Sequence, residues 1–377
     1  MLNVILFYLA VYTILLGILV FVGFFIQIEK EKKYFNGDSL SIDSSKIDLA
    51  SLVVIIPFRN EEHRIDSLLT SILNSTELPK EFIFVDDHST DKTAEYISDK
   101  LNSITYRLLS LPDDKKGKKL AIRFAIEQSE SNYILSLDAD IEFDSDYFST
   151  LKRLPEIDMY ILPAILKAKN IYENLFEVDL ILANASNCGV SGFKRPILAS
   201  GANLLYRRTS FVNFDQFERH KHIQSGDDIY LLRDFRAANA NIQLLTDTKV
   251  AVHTETPQSL KEFLHQRLRW IAKTGDVHDS LSTSLAIIQV LFTFCFVVLL
   301  ILAAIKSEWR LFSMLYLMKS TVDMILFLPY FNRIKRLTSW LFIPVYEFIL
   351  PIYSLIILTL MYTFKPEWKG RKLERNQ

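Results

Sequence analysis

Residues 2–26 (LNVILFYLAVYTILLGILVFVGFFI) contain no charged side chain. The hydrocarbon core of a bilayer is spanned by about 20 apolar residues in a helix, so this run reads as a membrane helix or a removable leader. A leader would carry a basic flank before the apolar run and a small-residue cleavage site after it. Neither is present. The run leads instead into Glu29-Lys30-Glu31-Lys32-Lys33, a partly basic flank of the cytoplasmic kind. An uncleaved anchor with its N-terminus outside is the expectation.

Apolar stretches return at residues 285–305, 311–331 and 340–364. The second carries Lys319 and Asp323 at i, i+4, a spacing that lets the two charges pair inside a helix bundle. The third carries Glu347 and is interrupted by Pro344 and Pro351. Four crossings return the chain to the outside, yet the tail 365–377 is rich in Lys and Arg, which favours the cytoplasm. The two inferences conflict; a re-entrant or interfacial C-terminal segment would reconcile them, with the proline-broken third as the candidate, and the topology stays open at this point.

Between the ends, strand and helix patterns alternate. Short β-branched or aromatic runs at 51–57, 81–85, 104–109 and 133–137 read as buried strands, separated by helical patterns at 61–75, 90–101 and 118–128, with Thr90 or Asp91 as a cap. Repeated β-α-β units imply an α/β domain with a mostly parallel sheet and helices on both faces. Ligands collect beyond the carboxyl ends of such strands. There lie Pro57, Arg59 and Glu61, then Asp86 and Asp87, then Asp138 and Asp140.

Two carboxylates at i, i+2 past a strand suit a hard divalent cation, Mg²⁺ or Mn²⁺, whose shell is completed by water and phosphate. An isolated Asp-x-Asp is as readily a solvated turn. Asp87 at a second strand end and the Lys115-Lys116-Gly117-Lys118-Lys119 cluster favour a nucleoside diphosphate. No Gly-rich P-loop or dinucleotide fingerprint is present. The net charge of −1 gives no global polyanion-binding signature, and nucleic acid is not among the expected partners. Two cysteines, Cys188 and Cys295, provide neither a disulfide framework nor a zinc pattern. Downstream, Asp227 and Asp228 precede an apolar helical run, where acids also serve as caps. Gln266, Arg269 and Trp270 share one helix face, a pattern also found on interfacial amphipathic helices.

The motifs VVIIPFRNEE (53–62), FVDDHSTD (84–91), GKKLAI (117–122), LDAD (137–140), SGANLLYRR (200–208), GDDIYL (226–231) and QRLRW (266–270) carry a resemblance. The sequence resembles the membrane-bound, inverting family 2 glycosyltransferases, which include ceramide glucosyltransferases and the synthases of cellulose, chitin, hyaluronan and poly-N-acetylglucosamine. The resemblance implies a GT-A (nucleotide-diphospho-sugar transferase) domain flanked by transmembrane helices in a bacterial plasma membrane. It further implies a nucleotide pocket of Pro57, Arg59, Glu61, Asp87, Lys118 and Asp138, and a metal site of Asp140 with Asp138. Asp228 is implied as general base beside Asp227, and Gln266, Arg269 and Trp270 as the diphosphate and acceptor motif. Asp227 stands where many members have Glu.

The corresponding organisation is an anchor over 1–28, a linker over 29–49, a cytoplasmic catalytic domain over 50–256 and interfacial helices over 257–284. About three membrane segments over 285–364 and a basic tail follow. Expected partners are a nucleotide-diphosphate sugar, UDP-linked, and a lipid or lipid-linked glycan met at the membrane. A processive polysaccharide synthase is the alternative, although the C-terminal membrane part is shorter than in most long-chain polymer synthases. Lys319, Asp323 and Glu347 at membrane depth also fit a transporter or scaffold.

Overall fold

The computed structural model describes residues 1–36, 45–220, 226–274, 280–363, 367–368 and 371–372. The expectations for linker residues 37–44, and for most of the basic tail, lie outside the described residues.

The first apolar run is helical: α1 (Leu2–Leu16), a π-helical passage Gly17–Val22, and α2 (Gly23–Asn36). Helix therefore continues into the stretch expected as linker, where buried Glu31 accepts hydrogen bonds from Thr246 N (3.1 Å) and Oγ1 (2.7 Å). Alternation then sets in, with β1 (Leu52–Phe58), α3 (Asp66–Leu73), β2 (Glu81–Asp86), α4 (Thr93–Lys100), β3 (Tyr106–Ser110), α5 (Lys118–Glu127) and β4 (Tyr133–Leu137). Next come β5 (Ile141–Glu142), α6 (Tyr147–Leu151), β6 (Met159–Ile161), β7 (Ala164–Lys167) and the long α7 (Ile171–Phe193). They are followed by β8 (Asn203–Arg207), α8 (Arg208–Phe214), α9 (Phe217–His220), α10 (Ile229–Ala237), β9 (Ile242–Leu244) and β10 (Val252–Glu255). Last are α11 (Leu260–Thr274), α12 (Ser280–Ile305), α13 (Trp309–Arg333), α14 (Leu337–Trp340) and α15 (Ile343–Thr363).

The chain divides into two compact units. One comprises Glu29–Lys167, Leu198–Glu255 and Lys365–Gln377; the other comprises Met1–Ile28, Ala168–Ile197 and Thr256–Phe364.

The first unit is α/β. Its seven-stranded sheet has the order β3-β2-β1-β4-β8-β6-β9, and β1, buried at every position, lies between β2 and β4. Strands β3, β2, β1 and β4 are mutually parallel, whereas β8 runs antiparallel to both β4 and β6. The sequence foresees the parallel half, because its strands are separated by helices; the reversal at β8 has no such signature. Pairing of Leu137 with Asn203 sets the residues just before β8 beside those just after β4. Asn203 is fully buried and secures that register: it accepts from Tyr147 Oη (2.6 Å) and donates to Pro163 O (2.9 Å) and Val250 O (3.0 Å). Each polar atom of this buried amide thus has a partner, which removes the desolvation cost an orphan would carry. A smaller sheet, β5-β10-β7, and an antiparallel pair of Glu367–Trp368 with Arg371–Lys372 complete the strands of this unit among the described residues.

The second unit is helical. Among the described residues, four helices are long and apolar enough to cross a membrane: Leu2–Phe35, Thr283–Ile305, Trp309–Arg333 and Ile343–Leu360. The proline-broken third C-terminal segment is one helix, α15, with Pro344 in its first turn, where proline is tolerated, and Pro351 inside. Lys319 donates to Asp323 Oδ2 (2.8 Å) and to Glu347, while Tyr12 Oη donates to Asp323 Oδ1 (2.7 Å). All four side chains are buried, so α1, α13 and α15 share one buried polar cluster. Helix α7 meets the N-terminal helices backbone to backbone. A Cβ added to Gly189 would strike Leu19 O, and one added to Gly192 would strike Gly23 O. Small residues permit such close crossings where the lipid-side hydrophobic effect does not drive association.

Replacing Gly189 by Leu should force these backbones apart. Overpacking of this kind costs roughly 1–3 kcal/mol or more, so the detergent-solubilised variant should unfold at a lower temperature than the parent in a thermal ramp, while exposed Ile171→Ser should not.

Candidate active site

The loops after β1 and β2 interlock at the sheet edge. Arg59 donates to Asp87 O (2.7 Å) and His88 O (2.6 Å), and Asn60 Oδ1 accepts from Thr90 N (2.8 Å). In return Asn60 N reaches Ser89 Oγ (3.1 Å), Glu61 N reaches Thr93 Oγ1 (2.9 Å), and Glu62 N reaches Asp91 Oδ2 (3.1 Å). Asn60 and His88 both have positive φ, 52° and 60°. Left-handed non-glycine residues persist only where their surroundings over-determine them, and this lattice of side-chain bonds does so. Asp87 is buried; its Oδ2 accepts from Gly117 N (3.0 Å), and its Oδ1 lies 3.1 Å from His88 Nδ1. Pro57 is paired with Val85 inside the sheet, one residue before the end of β1. Arg59 Nε is buried with no hydrogen-bond partner among the described residues.

Lys118, first residue of α5, joins the other acids. Its ammonium lies 2.7 Å from Asp138 Oδ1 and 3.0 Å from Asp227 Oδ2, and it donates to Gly201 O (3.0 Å). Burial alone would lower the Lys118 pKa, but Asp138 and Asp227 outweigh it and hold the ammonium above the ordinary lysine value. Gly201 N in turn donates to Asp228 Oδ2 (3.2 Å), and Asp228 Oδ1 accepts from Ile229 N (2.8 Å) at the start of α10. The two adjacent acids therefore differ. Asp227 serves the lysine, while Asp228 caps a helix and is oriented by two backbone N–H groups.

Asp140 has other company. Its Oδ2 accepts from Arg64 Nη1 (3.1 Å), and the same guanidinium holds Glu61 at 2.6 Å. Burial would lower the Arg64 pKa; Asp140 and then Glu61 more than reverse that. Thus Asp87, Lys118, Asp138, Asp227 and Asp228 lie in one network with Gly117 and Gly201, and Glu61 joins Asp140 through Arg64. The carboxylates of Asp138 and Asp140 are both partly exposed, and each is held by its own side-chain cation, Lys118 and Arg64 respectively.

Gln266, Arg269 and Trp270 belong to α11 in the helical unit, and all three are half-buried. The intervening Arg267 is the buried one.

Two participants were given no role by motif reading. Arg64 is a lone arginine just before α3, and Gly201, although inside the SGANLLYRR motif, comes into place only through the antiparallel register of β8. A second cluster lies beside the network. His220 Nε2 is 3.2 Å from Asp234 and 3.7 Å from Asp215, while Lys119 Nζ lies 3.2 Å from its Nδ1. An ammonium can only donate, so Nδ1 accepts and Nε2 carries the proton toward Asp234. Burial raises the Asp215 carboxyl pKa against the opposing pull of Arg123. Of these, Lys119, Arg123, Asp215 and His220 line a small cavity together with Gly201, Asp227 and Ser136.

Comparison with known proteins agrees with this architecture. Residues 53–173 match the family model Glycosyl transferase family 2, and the chain therefore carries a family 2 glycosyl transferase domain. The poly-β-1,6-N-acetyl-D-glucosamine synthase of Staphylococcus epidermidis is 30% identical over 139 residues, 37% of this chain and 33% of that protein. An N-acetylglucosaminyltransferase of Rhizobium meliloti is 29% identical over 241 residues, 60% of this chain and 56% of that protein. The chain thus spans a third to somewhat over half of the length of these curated relatives. Among solved structures, the mannosyltransferase PcManGT of Pyrobaculum calidifontis, in complex with GDP-Man and Mn²⁺, aligns with a TM-score of 0.52 at 14% identity, covering 92% of this chain and 99% of that one. That likeness is one of fold: the α/β unit has the GT-A architecture.

Gly201 tests the network directly. A Cβ there would come within 2.5 Å of Asp227 Oδ2 and 2.8 Å of Lys118 Nζ. Gly201→Val should therefore lower transferase turnover by at least tenfold while leaving the circular-dichroism spectrum unchanged; normal turnover would remove Gly201 from the site.

Proposed function

We propose that this chain is an inverting, metal-dependent glycosyltransferase that moves N-acetylglucosamine from a UDP-linked donor to a lipid or lipid-linked glycan at a membrane. The observation that carries the reading is the connected path Asp138–Lys118–Gly201–Asp228, which links a donor-side carboxylate to a candidate base across the sheet edge. The family 2 domain supports the reaction class, and the relatives' names support the sugar.

In this reading Asp87 and Arg59 receive the nucleobase, and Arg59 Nε remains available to it. Asp138 and Asp140 hold Mg²⁺ or Mn²⁺, which neutralises charge on a departing diphosphate as a Lewis acid. Lys118 keeps Asp138 in place and contributes a second positive charge to the phosphate side. Asp228 takes the proton of the acceptor hydroxyl as that oxygen attacks the anomeric carbon, and Gly201 N and Ile229 N aim its carboxylate. One displacement inverts the configuration, so an α-linked donor gives a β-linked product. Arg269 suits a diphosphate, because its planar fork grips two oxygens at once.

The membrane acceptor is supported by α11, which leads within a few residues into α12, a helix long and apolar enough to span. Lys30, Lys32 and Lys33 beyond the first apolar helix favour a cytoplasmic catalytic unit. A processive polysaccharide synthase is the second reading, favoured by the name of the Staphylococcus epidermidis relative.

Two outcomes test the mechanism with UDP-N-acetylglucosamine as donor. Turnover should vanish in excess EDTA and return with Mg²⁺ or Mn²⁺; full turnover in EDTA would refute the metal. Asp228→Asn should lower kcat by roughly 10²–10⁴-fold with donor affinity retained, whereas Asp140→Asn should weaken metal-dependent donor binding in calorimetry. A dead Asp227→Asn beside a normal Asp228→Asn would reverse the two acids.

A further inference from the structure

Arg267 is the least exposed side chain of the QRLRW segment after Leu268, at 3% of its accessible surface. Its Nε donates to Asp179 on α7, its Nη2 donates to Phe176 O (3.1 Å), and its Nη1 donates to Gln266 Oε1 (3.0 Å). The guanidinium plane lies between two rings, 4.7 Å from the centroid of Phe263 and 4.3 Å from that of Trp270. Phe263 is itself stacked on Phe176 of α7, with centroids 4.5 Å apart and planes 15° from parallel. Asp179 also accepts from Tyr346 Oη of α15 (2.5 Å). One buried guanidinium thus fastens α11 to α7, and its carboxylate partner is fastened to α15.

The chemistry of these contacts constrains the neighbours. A guanidinium has donors only, so Gln266 must turn its carbonyl oxygen inward to Arg267. Its amide nitrogen, with two N–H donors, is left for the other side. Trp270 likewise has one ring face occupied by the cation. What the segment then offers is an N–H donor and one aromatic face, which is the complement of a sugar or phosphate: oxygen acceptors beside a ring of C–H groups.

We propose that Arg267, held by Asp179, is the positioning residue of the acceptor-side helix, committing Gln266 to donate and Trp270 to present a single face to a glycosyl acceptor. The inference rests on the glycosyltransferase reading above and deepens it at its acceptor end. Lysine could keep the charge, but it has neither the fork for three partners nor the plane for two rings.

The test uses the full chain in phospholipid vesicles with UDP-N-acetylglucosamine and octyl β-N-acetylglucosaminide as the acceptor probe. Arg267→Lys and Asp179→Asn should each raise KM for the probe at least tenfold while KM for the donor moves less than threefold. Gln266→Glu, which presents oxygens where N–H donors are needed, should raise the probe KM similarly without changing the thermal unfolding midpoint. Unchanged probe KM in Arg267→Lys would overturn the proposal. So would equal losses in both KM values that track a falling unfolding midpoint, because that is what a purely structural tie produces. A parent chain with no transfer from the donor would sink the functional reading itself, and this proposal with it; that result is seen before any variant is compared.

Discussion

Carboxylates from separate strands and loops cannot be brought to one sheet edge without positive charge among them. At 4 Å two like charges in a partly buried setting repel by about 4 kcal/mol, and here Asp138, Asp227 and Asp228 converge around one backbone segment. Lys118 makes the convergence possible. It touches Asp138 and Asp227 directly and reaches Asp228 through the peptide of Gly201. The start of α5, the end of β4, the entry to β8 and the start of α10 are thereby fixed to one ammonium. Arg64 does the same for Glu61 and Asp140. The described site is thus a set of paired charges, each of these carboxylates being met by a cation or a backbone N–H.

Much of this was legible in the sequence, for a physical reason. Parallel strands separated by helices advertise themselves by periodicity, and polar clusters at their ends mark the edge where ligands gather. Asp87, Asp138 and Lys118 are therefore readable from local pattern alone. Gly201 is not, because its place depends on Leu137 facing Asn203 across an antiparallel pair formed by residues far apart in the chain. Arg267 was obscured by its own motif. Reading Gln266, Arg269 and Trp270 as one face leaves Arg267 outside the reading, and only the packing of α11 on α7 shows it to be anchored. The length of helix at the N-terminus was underestimated because polar residues after Lys30 were read as linker; a buried Glu31 with two hydrogen bonds from Thr246 explains its order.

The helical unit solves a different problem. Lys319, Asp323 and Glu347 are buried on helices that are long and apolar enough to cross a membrane. Breaking such a group by removing one partner is costly, whereas keeping it intact adds little net stability. Its value lies in register: a helix displaced by one turn separates Lys319 from both carboxylates and Tyr12 from Asp323. Apolar packing tolerates such slips far better, and the polar cluster removes that freedom.

The interleaving of the two units along the chain has a practical meaning. The polypeptide passes between them at Ile28, Lys167, Ile197, Glu255 and Phe364, and α7 is spliced into the α/β unit between β7 and β8. Deleting both ends of the gene product would therefore not release a clean soluble enzyme. It would leave α7 attached while stripping away the helices that cover Gly189, Asp179 and Glu177. A workable soluble fragment must also replace 168–197 with a short connector, and whether the Lys118 network survives that graft is a question of two peptide junctions rather than of the sheet.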